Sequence, residues 1–130
     1  MHGILYDGAE ELCRYLAGKY RVAAVTNGNT VAQQGRMSRS SIKQYIAVMA
    51  VSQEVGSSKP EPEVFACALE RLGHPDKSDV ILIGDGYVPD ILGGVRFGVD
   101  TVWYNPEGKP TGEVLPTYTV GSYDEIYQLL

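Results

Sequence analysis

Two aspartates have surroundings that suit them to metal chemistry. Asp85 and Asp90 follow the apolar run Val80–Ile83, within the segment Gly84–Asp90. One carboxylate in a turn and another in the first turn of a helix can converge on Mg²⁺, which takes one or two carboxylates together with water and substrate phosphate. The structural alternative is equally open at this point, with Asp90 capping its own helix and Asp85 serving only to turn the chain.

Two further places in the chain suit a phosphate group. Thr26 and Asn27 follow the short predicted strand Arg21–Val25, where a hydroxyl and backbone N–H groups can hold a phosphate oxygen. Lys59 precedes Pro60 at the entry to a predicted helix, and its ammonium group is a compact charge that suits phosphate. Taken singly, the first place is better explained as a capped turn and the second as a solvated surface lysine.

The elements that must position these residues alternate between apolar runs of strand length and segments of helical period. This alternation is typical of a parallel α/β sheet, which collects its ligands at the carboxyl ends of its strands. Strands are predicted at 21–25, 45–51, 80–83 and 100–103, and helices at 9–17, 30–40, 63–72, 90–97 and 122–130. We expect a single domain over residues 1–130 with no internal boundary.

Composition narrows the possible classes of function. The net charge is −5 and the 11 lysines and arginines are scattered, so no nucleic-acid-binding surface is predicted. No apolar run approaches the ~20 residues that span a bilayer, so we expect no membrane partner and a cytoplasmic location. Cys13 and Cys67 lie among apolar neighbours and are expected to be buried, reduced thiols. A dinucleotide-binding domain is disfavoured because no Gly-x-Gly-x-x-Gly turn follows a first strand.

The order of the motifs resembles that of the haloacid dehalogenase (HAD) superfamily. Thr26-Asn27-Gly28 after a strand, Lys59-Pro60 before a helix, and Gly84-Asp85 with Asp90 after an apolar strand are similar to its motifs two, three and four. The run Gln53–Phe65 is similar to the family's loop into its lysine helix, and the runs Asp90–Gly94 and Thr101–Pro106 are similar to the nucleotidase-like branch with a helical cap. The resemblance covers nearly the whole chain and implies a Rossmann-like three-layer core with a parallel sheet.

The resemblance also implies an activity, which is Mg²⁺-dependent hydrolysis of a small phosphate monoester, with a nucleotide as one option. Thr26, Asn27 and Lys59 would belong to the catalytic site, and Asp85 and Asp90 to the metal site. Of the two carboxylates, Asp85 is expected to face the metal, because a carboxylate at position 90 also suits its own helix N-terminus or the lysine.

One motif of the family does not occur in these residues. Family members begin with a strand that ends in Asp-x-Asp, whose first aspartate is the nucleophile and whose second is the general acid/base. This sequence contains no such pair, and Asp7 aligns with the family's loop before motif two. The resemblance therefore predicts a core without its central motif-one strand, weak or absent Mg²⁺ binding, and little or no activity of this chain alone.

The missing strand also leads to an expectation about assembly. In the family it lies between the strands of motifs two and four, here 21–25 and 80–83, so its loss leaves a gap of roughly 10 Å, or two strand spacings. Unpaired apolar strand edges are templates for pairing. We expect either that the two strands pair directly or that residues 1–6 or a second copy fill the gap, with a homodimer favoured. A non-catalytic scaffold module that self-associates is the competing interpretation of the function.

Overall fold

The computed structural model describes residues 9–26 and 44–130. Helices and strands alternate along these residues, and the α/β class predicted from the sequence is confirmed. The first half comprises α1 (Ala9–Ala17), β1 (Ala23–Thr26), β2 (Val48–Val51), α2 (Ser52–Val55) and α3 (Pro62–Arg71). The second half comprises a 3₁₀ turn (Lys77–Asp79), β3 (Ile81–Gly84), a π-helix (Tyr87–Leu92) continuing as α4 (Gly93–Phe97), β4 (Asp100–Tyr104), β5 (Tyr118–Val120) and α5 (Tyr123–Leu129). The helix predicted at 30–40 lies outside the described residues.

The strands form two parallel sheets. In one, β1 pairs with β2, and Thr26 lies opposite Val51. In the other, β4 lies between β3 and β5, and Trp103 lies opposite Gly84. Within the described ranges no backbone pairing joins β1 to β3. Of the two predicted alternatives, direct pairing of these strands is therefore not found in the described residues, whereas filling of the gap by residues 1–6 falls outside them and a dimer stays a prediction.

Helices cover both faces of the strands. One face buries an aliphatic cluster that joins α1 and α5 to the larger sheet: Leu12, Leu16, Val102, Val120 and Ile126. The other face buries a cluster that joins α3 to β2: Ala50, Val64, Phe65 and Ala68. Within β3, Ile81 and Ile83 contact the first cluster and Leu82 contacts the second, because successive side chains of a strand point to opposite faces. This arrangement agrees with the predicted three layers.

Among the described residues, the 3₁₀ turn Lys77–Asp79, the helix α2 and the strand β5 were not predicted from the sequence. The helix α2 has no buried residue, and two of the three residues of β5 are exposed, so neither leaves an apolar pattern in the sequence. Contacts distant in sequence hold β5 in place. Just before it, Thr101 and Thr117 each donate a backbone N–H to the side-chain oxygen of the other, at 2.9 and 3.1 Å.

The last helix, α5, buries fewer of its apolar residues than the sequence predicts. The sequence predicts Ile126, Leu129 and Leu130 on its inner face. Ile126 is fully buried, whereas Leu129 is 39% exposed and Leu130, just beyond the helix end, is half-buried. The helix is therefore anchored mainly by its middle turn.

Two further expectations concern membrane segments and thiols. Among the described residues, no helix is long and apolar enough to cross a membrane. Cys13 is buried, Cys67 is half-buried, and both are free thiols. Burial raises the pKa of the Cys13 thiol and so disfavours the reactive thiolate. This finding supports a structural role for Cys13.

The burial of the last helix can be tested by two truncations. Ile126→Ala is expected to lower the free energy of unfolding by about 2–5 kcal/mol, because it removes buried methyl groups and leaves a cavity. Leu129→Ala in the same helix is the matched control and is expected to change it by less than about 1 kcal/mol. Urea denaturation followed by circular dichroism measures both variants. Equal losses of unfolding free energy in the two variants would show that the inner face of the helix is assigned wrongly.

Candidate active site

Lys59 and Asp90 form a buried ion pair where the turn before α3 meets the π-helix. Lys59 Nζ lies 2.6 Å from Asp90 Oδ1, and the two side chains are 3% and 5% exposed. The other carboxylate oxygen, Asp90 Oδ2, accepts a hydrogen bond from the Gly86 N–H at 3.1 Å. Both oxygens of Asp90 are therefore engaged. As the sequence suggested, this carboxylate serves the lysine and the start of its own helix.

Gly84 makes room for this carboxylate at the end of β3. A Cβ atom on Gly84 would lie 2.4 Å from Asp90 Cβ and 2.6 Å from Asp90 Oδ2, which is closer than such atoms can approach. A residue with a side chain at position 84 would therefore displace Asp90. In the sequence, Gly84 was noted only as part of the motif-four resemblance, although a glycine at the end of a strand can mark a close approach.

Asp85 differs from Asp90 in both exposure and contacts. It follows β3 directly and is exposed. Its backbone carbonyl accepts a hydrogen bond from Trp103 Nε1 at 3.0 Å. Asp85 is therefore the carboxylate of the pair that a hydrated cation can approach.

A cavity of about 380 Å³ lies between β1 and β3. Its walls are mostly apolar and include the residues Ala23, Ala24 and Val25 of β1 and all four residues of β3, Ile81–Gly84. We call this cavity the inter-sheet cleft. Lys59, Asp85 and Asp90 also line it, so the ion pair and the exposed carboxylate border the space that separates the two sheets.

The structure thus brings together three of the five residues proposed from the sequence. Lys59, Asp85 and Asp90 border one cavity. Thr26 is the last residue of β1, directly after the residues of that strand that line the cleft, and its side chain is not described. Asn27 lies outside the described residues. The catalytic and metal-binding roles of all five stay predictions.

The donor groups at this place fit only part of a magnesium site. In the part of the chain that the structure describes, no group of three or more His, Cys, Asp or Glu side chains could hold a metal ion. Asp90 is engaged by Lys59 and Gly86, so Asp85 is the carboxylate suited to ligate. Mg²⁺ is often held by one or two carboxylates with other oxygen donors. Asp85 therefore fits as one ligand of a site that further oxygen donors must complete.

The ion pair can be tested through its effect on stability. Lys59→Met is expected to lower the free energy of unfolding by about 3–5 kcal/mol, because it leaves the Asp90 carboxylate buried without its cation. The double variant Lys59→Met/Asp90→Asn removes that charge, and its amide oxygen can still accept the Gly86 N–H. We expect the double variant to be more stable than Lys59→Met in urea denaturation. If the double variant were no more stable than Lys59→Met, the two side chains would not depend on each other for stability.

Comparison with known proteins gives both sequence and structural matches. Residues 1–98 match the family model of haloacid dehalogenase-like hydrolases. The chain is 39% identical over 124 residues to pyrimidine 5′-nucleotidase YjjG of Escherichia coli, covering 95% of this chain and 55% of that protein. It is 30% identical over 132 residues to N-acylneuraminate-9-phosphatase of Mus musculus, covering 99% of this chain and 53% of that protein.

The chain is also similar in fold to a solved structure. The magnesium-bound protein YfnB of Bacillus subtilis superposes with a TM-score of 0.93 at 34% sequence identity, covering 98% of this chain and 57% of that one. The chain therefore spans about half the length of the relatives that it matches.

Proposed function

We propose that this chain, which belongs to the haloacid dehalogenase-like hydrolase family, carries the phosphate- and metal-binding residues of a Mg²⁺-dependent phosphatase that acts on small phosphate monoesters. The observation that carries the proposal is the grouping of Lys59, Asp85 and Asp90 around one cleft. Two relatives named a nucleotidase and a phosphatase support the reaction class. Because their named substrates differ, the shared chemistry is the phosphate monoester, and a pyrimidine nucleotide is the first substrate to test.

Lys59 would bind the phosphoryl group. Its ammonium is buried, and a charge in such surroundings attracts a phosphoryl oxygen more strongly than it would in water. The 2.6 Å contact with Asp90 Oδ1 holds the ammonium group in place, so less side-chain freedom is lost when substrate binds. An ammonium group can donate up to three hydrogen bonds, so the bond to Asp90 is compatible with a bond to phosphate.

Asp85 would hold the metal, and Asp90 would orient Lys59 without ligating it. Bound Mg²⁺ would neutralise charge on the phosphoryl oxygens. This assignment follows the different surroundings of the two carboxylates, since Asp85 is exposed and Asp90 is held by Lys59 and Gly86. Thr26 and Asn27 would contribute further donors to the phosphate, as the resemblance implies.

The nucleophile would come from a strand in the inter-sheet cleft. The 130 residues contain no Asp-x-Asp pair, and the resemblance implies that a strand ending in this pair lies between β1 and β3. The cleft supports this proposal because it separates β1 from β3 and has mostly apolar walls. Such walls suit the side chains of a buried strand. We therefore propose that the active unit includes a strand in this cleft and that the 130 residues alone are inactive.

The first test measures the activity of this chain by itself. Release of phosphate from an aryl phosphate or a pyrimidine nucleoside monophosphate, with Mg²⁺ present, is expected to be undetectable because the sequence contains no Asp-x-Asp pair to supply the nucleophile. Turnover that disappears in Asp7→Asn would make Asp7 the nucleophile and contradict our assignment. Turnover that persists in Asp7→Asn would require a contaminant or another nucleophile.

The second test supplies the missing segment. In a chimera, the part of Escherichia coli YjjG that the match does not cover is placed before this chain, and Mg²⁺-dependent phosphate release is expected. Asp85→Asn and Lys59→Met in the chimera are expected to lower kcat by about 100-fold or more, because the first removes a proposed metal ligand and the second removes the charge proposed to contact the phosphoryl group. Lys77→Ala is the matched control, since Lys77 Nζ bonds the Phe97 carbonyl at 2.8 Å and takes no part in the proposed site. A chimera that folds but releases no phosphate would contradict the proposal.

A non-catalytic module that self-associates is the second candidate. The observation that favours it is the same cleft, where β1 and β3 do not pair with each other within the described residues. A dimer is expected in sedimentation equilibrium at micromolar concentration, because a strand of a second copy would satisfy these edges. Ala24→Lys, which places a charge in the cleft, is expected to abolish the dimer, whereas Leu115→Lys at a position 67% exposed should not. A monomer at all concentrations would contradict this candidate.

A cytoplasmic location stays a prediction under either function.

A further inference from the structure

A buried indole holds the backbone of the turn that carries Asp85. Trp103 is 1% exposed, and its Nε1 donates a hydrogen bond to the Asp85 carbonyl oxygen at 3.0 Å. In the strand ladder Trp103 lies opposite Gly84, which is the last residue of β3. The carbonyl of Asp85 therefore lies one residue beyond the paired backbone, and the indole N–H takes the place of a backbone donor.

A second aromatic side chain connects this indole to a surface loop. The rings of Tyr87 and Trp103 lie with their centroids 5.3 Å apart and their planes tilted by 53°. The Tyr87 hydroxyl donates a hydrogen bond to the Val114 carbonyl at 2.6 Å. Gly112 lies against the same ring, since a Cβ atom there would be 3.0 Å from the Tyr87 hydroxyl oxygen. Trp103 is thus held from the side of the loop as well as by its own strand.

We propose that Trp103 is a positioning residue, whose indole N–H fixes the direction in which Asp85 presents its carboxylate to a cation. Asp85 is exposed, so burial does not hold its side chain, and the orientation of its backbone contributes to where the carboxylate can point. A peptide unit that is free to rotate would spread the carboxylate over more positions, and a cation would then bind less tightly. This inference rests on the proposed role of Asp85 in metal binding.

The chain contains a single tryptophan, which makes the test specific. The probe is Tb³⁺, an oxygen-seeking cation whose luminescence is excited by energy transfer from a nearby indole. Titration of this 130-residue chain with Tb³⁺, with excitation of the indole, is expected to give saturable emission only at high Tb³⁺ concentration, because Asp85 supplies one ligand and the higher charge of Tb³⁺ compensates in part for the ligands that other donors would add. Absence of saturable emission from the wild-type chain would overturn the inference for this chain. Asp85→Asn is expected to remove most of that emission without loss of fold. Emission that is unchanged in Asp85→Asn would overturn the metal role of Asp85 and, with it, the present inference.

The positioning role is tested by removing only the indole N–H. Replacement of Trp103 with β-(3-benzothienyl)alanine keeps the shape of the ring and substitutes sulfur for N–H, and Trp103→Phe is the simpler variant. Tb³⁺ affinity, measured by calorimetry, is expected to fall roughly three- to tenfold, as expected for one lost hydrogen bond. Tyr87→Phe is the matched control, because it loses the bond to Val114 but keeps the Trp103 bond, and its affinity should stay within about twofold of the wild type.

The outcomes separate this inference from the proposed function. A lower affinity in the benzothienyl variant, with an unchanged circular dichroism spectrum, would support the positioning role even if Trp103→Phe fails to fold. An affinity equal to that of the wild type in the benzothienyl variant, together with loss of binding in Asp85→Asn, would overturn it. The metal role of Asp85 would then stand without Trp103.

Discussion

A lysine and an aspartate buried together impose the strongest constraint on this molecule. Taking either charge out of water alone costs several kcal/mol, so Lys59 and Asp90 must stay within contact distance for the fold to be stable. Lys59 comes from the turn before α3 and Asp90 from the π-helix after β3, so the pair joins elements of the two sheets. The absence of a side chain at Gly84 allows the carboxylate to lie against the end of β3. The same contact therefore supports the fold and places a cation at the edge of the cleft.

The cleft is the second constraint, and it follows from the arrangement of the strands. Parallel sheets with helices on both faces are normally continuous and apolar throughout, because water cannot satisfy their interior. Here β1 and β3 belong to different sheets and border an apolar space. The chain matches the fold of a magnesium-bound relative with a TM-score of 0.93 while covering 57% of its length. The fold on both sides of the cleft is therefore shared with this relative, and the mostly apolar walls are compatible with the strand proposed to lie there.

Features of the fold that leave a local pattern in the sequence were predictable. The strands β3 and β4 and the helices α1 and α3 follow from apolar runs and helical period, with boundaries within about two residues. The different surroundings of the two aspartates were also predictable, because a carboxylate in the first turn of a helix suits the helix N-terminus. The strand β5 left no such pattern, since most of it is exposed and contacts between Thr101 and Thr117 hold it. The close approach of Gly84 to Asp90 and the bond from Trp103 to Asp85 depend on how strands and helices pack, which sequence spacing does not specify.

Burial explains why two aspartates five positions apart suit different tasks. Asp90 has both carboxylate oxygens engaged, by Lys59 and by the Gly86 N–H, so it can orient a cationic side chain but would have to break these contacts to ligate a metal. Asp85 is exposed, and the bond from Trp103 goes to its backbone, so the carboxylate does not have to break that bond to meet a cation. The proposed phosphate site would need both functions, because a metal and a lysine that share one carboxylate would compete for it. The turn after β3 holds one carboxylate inside the fold and leaves the other at its surface, which would allow the two functions to be separated.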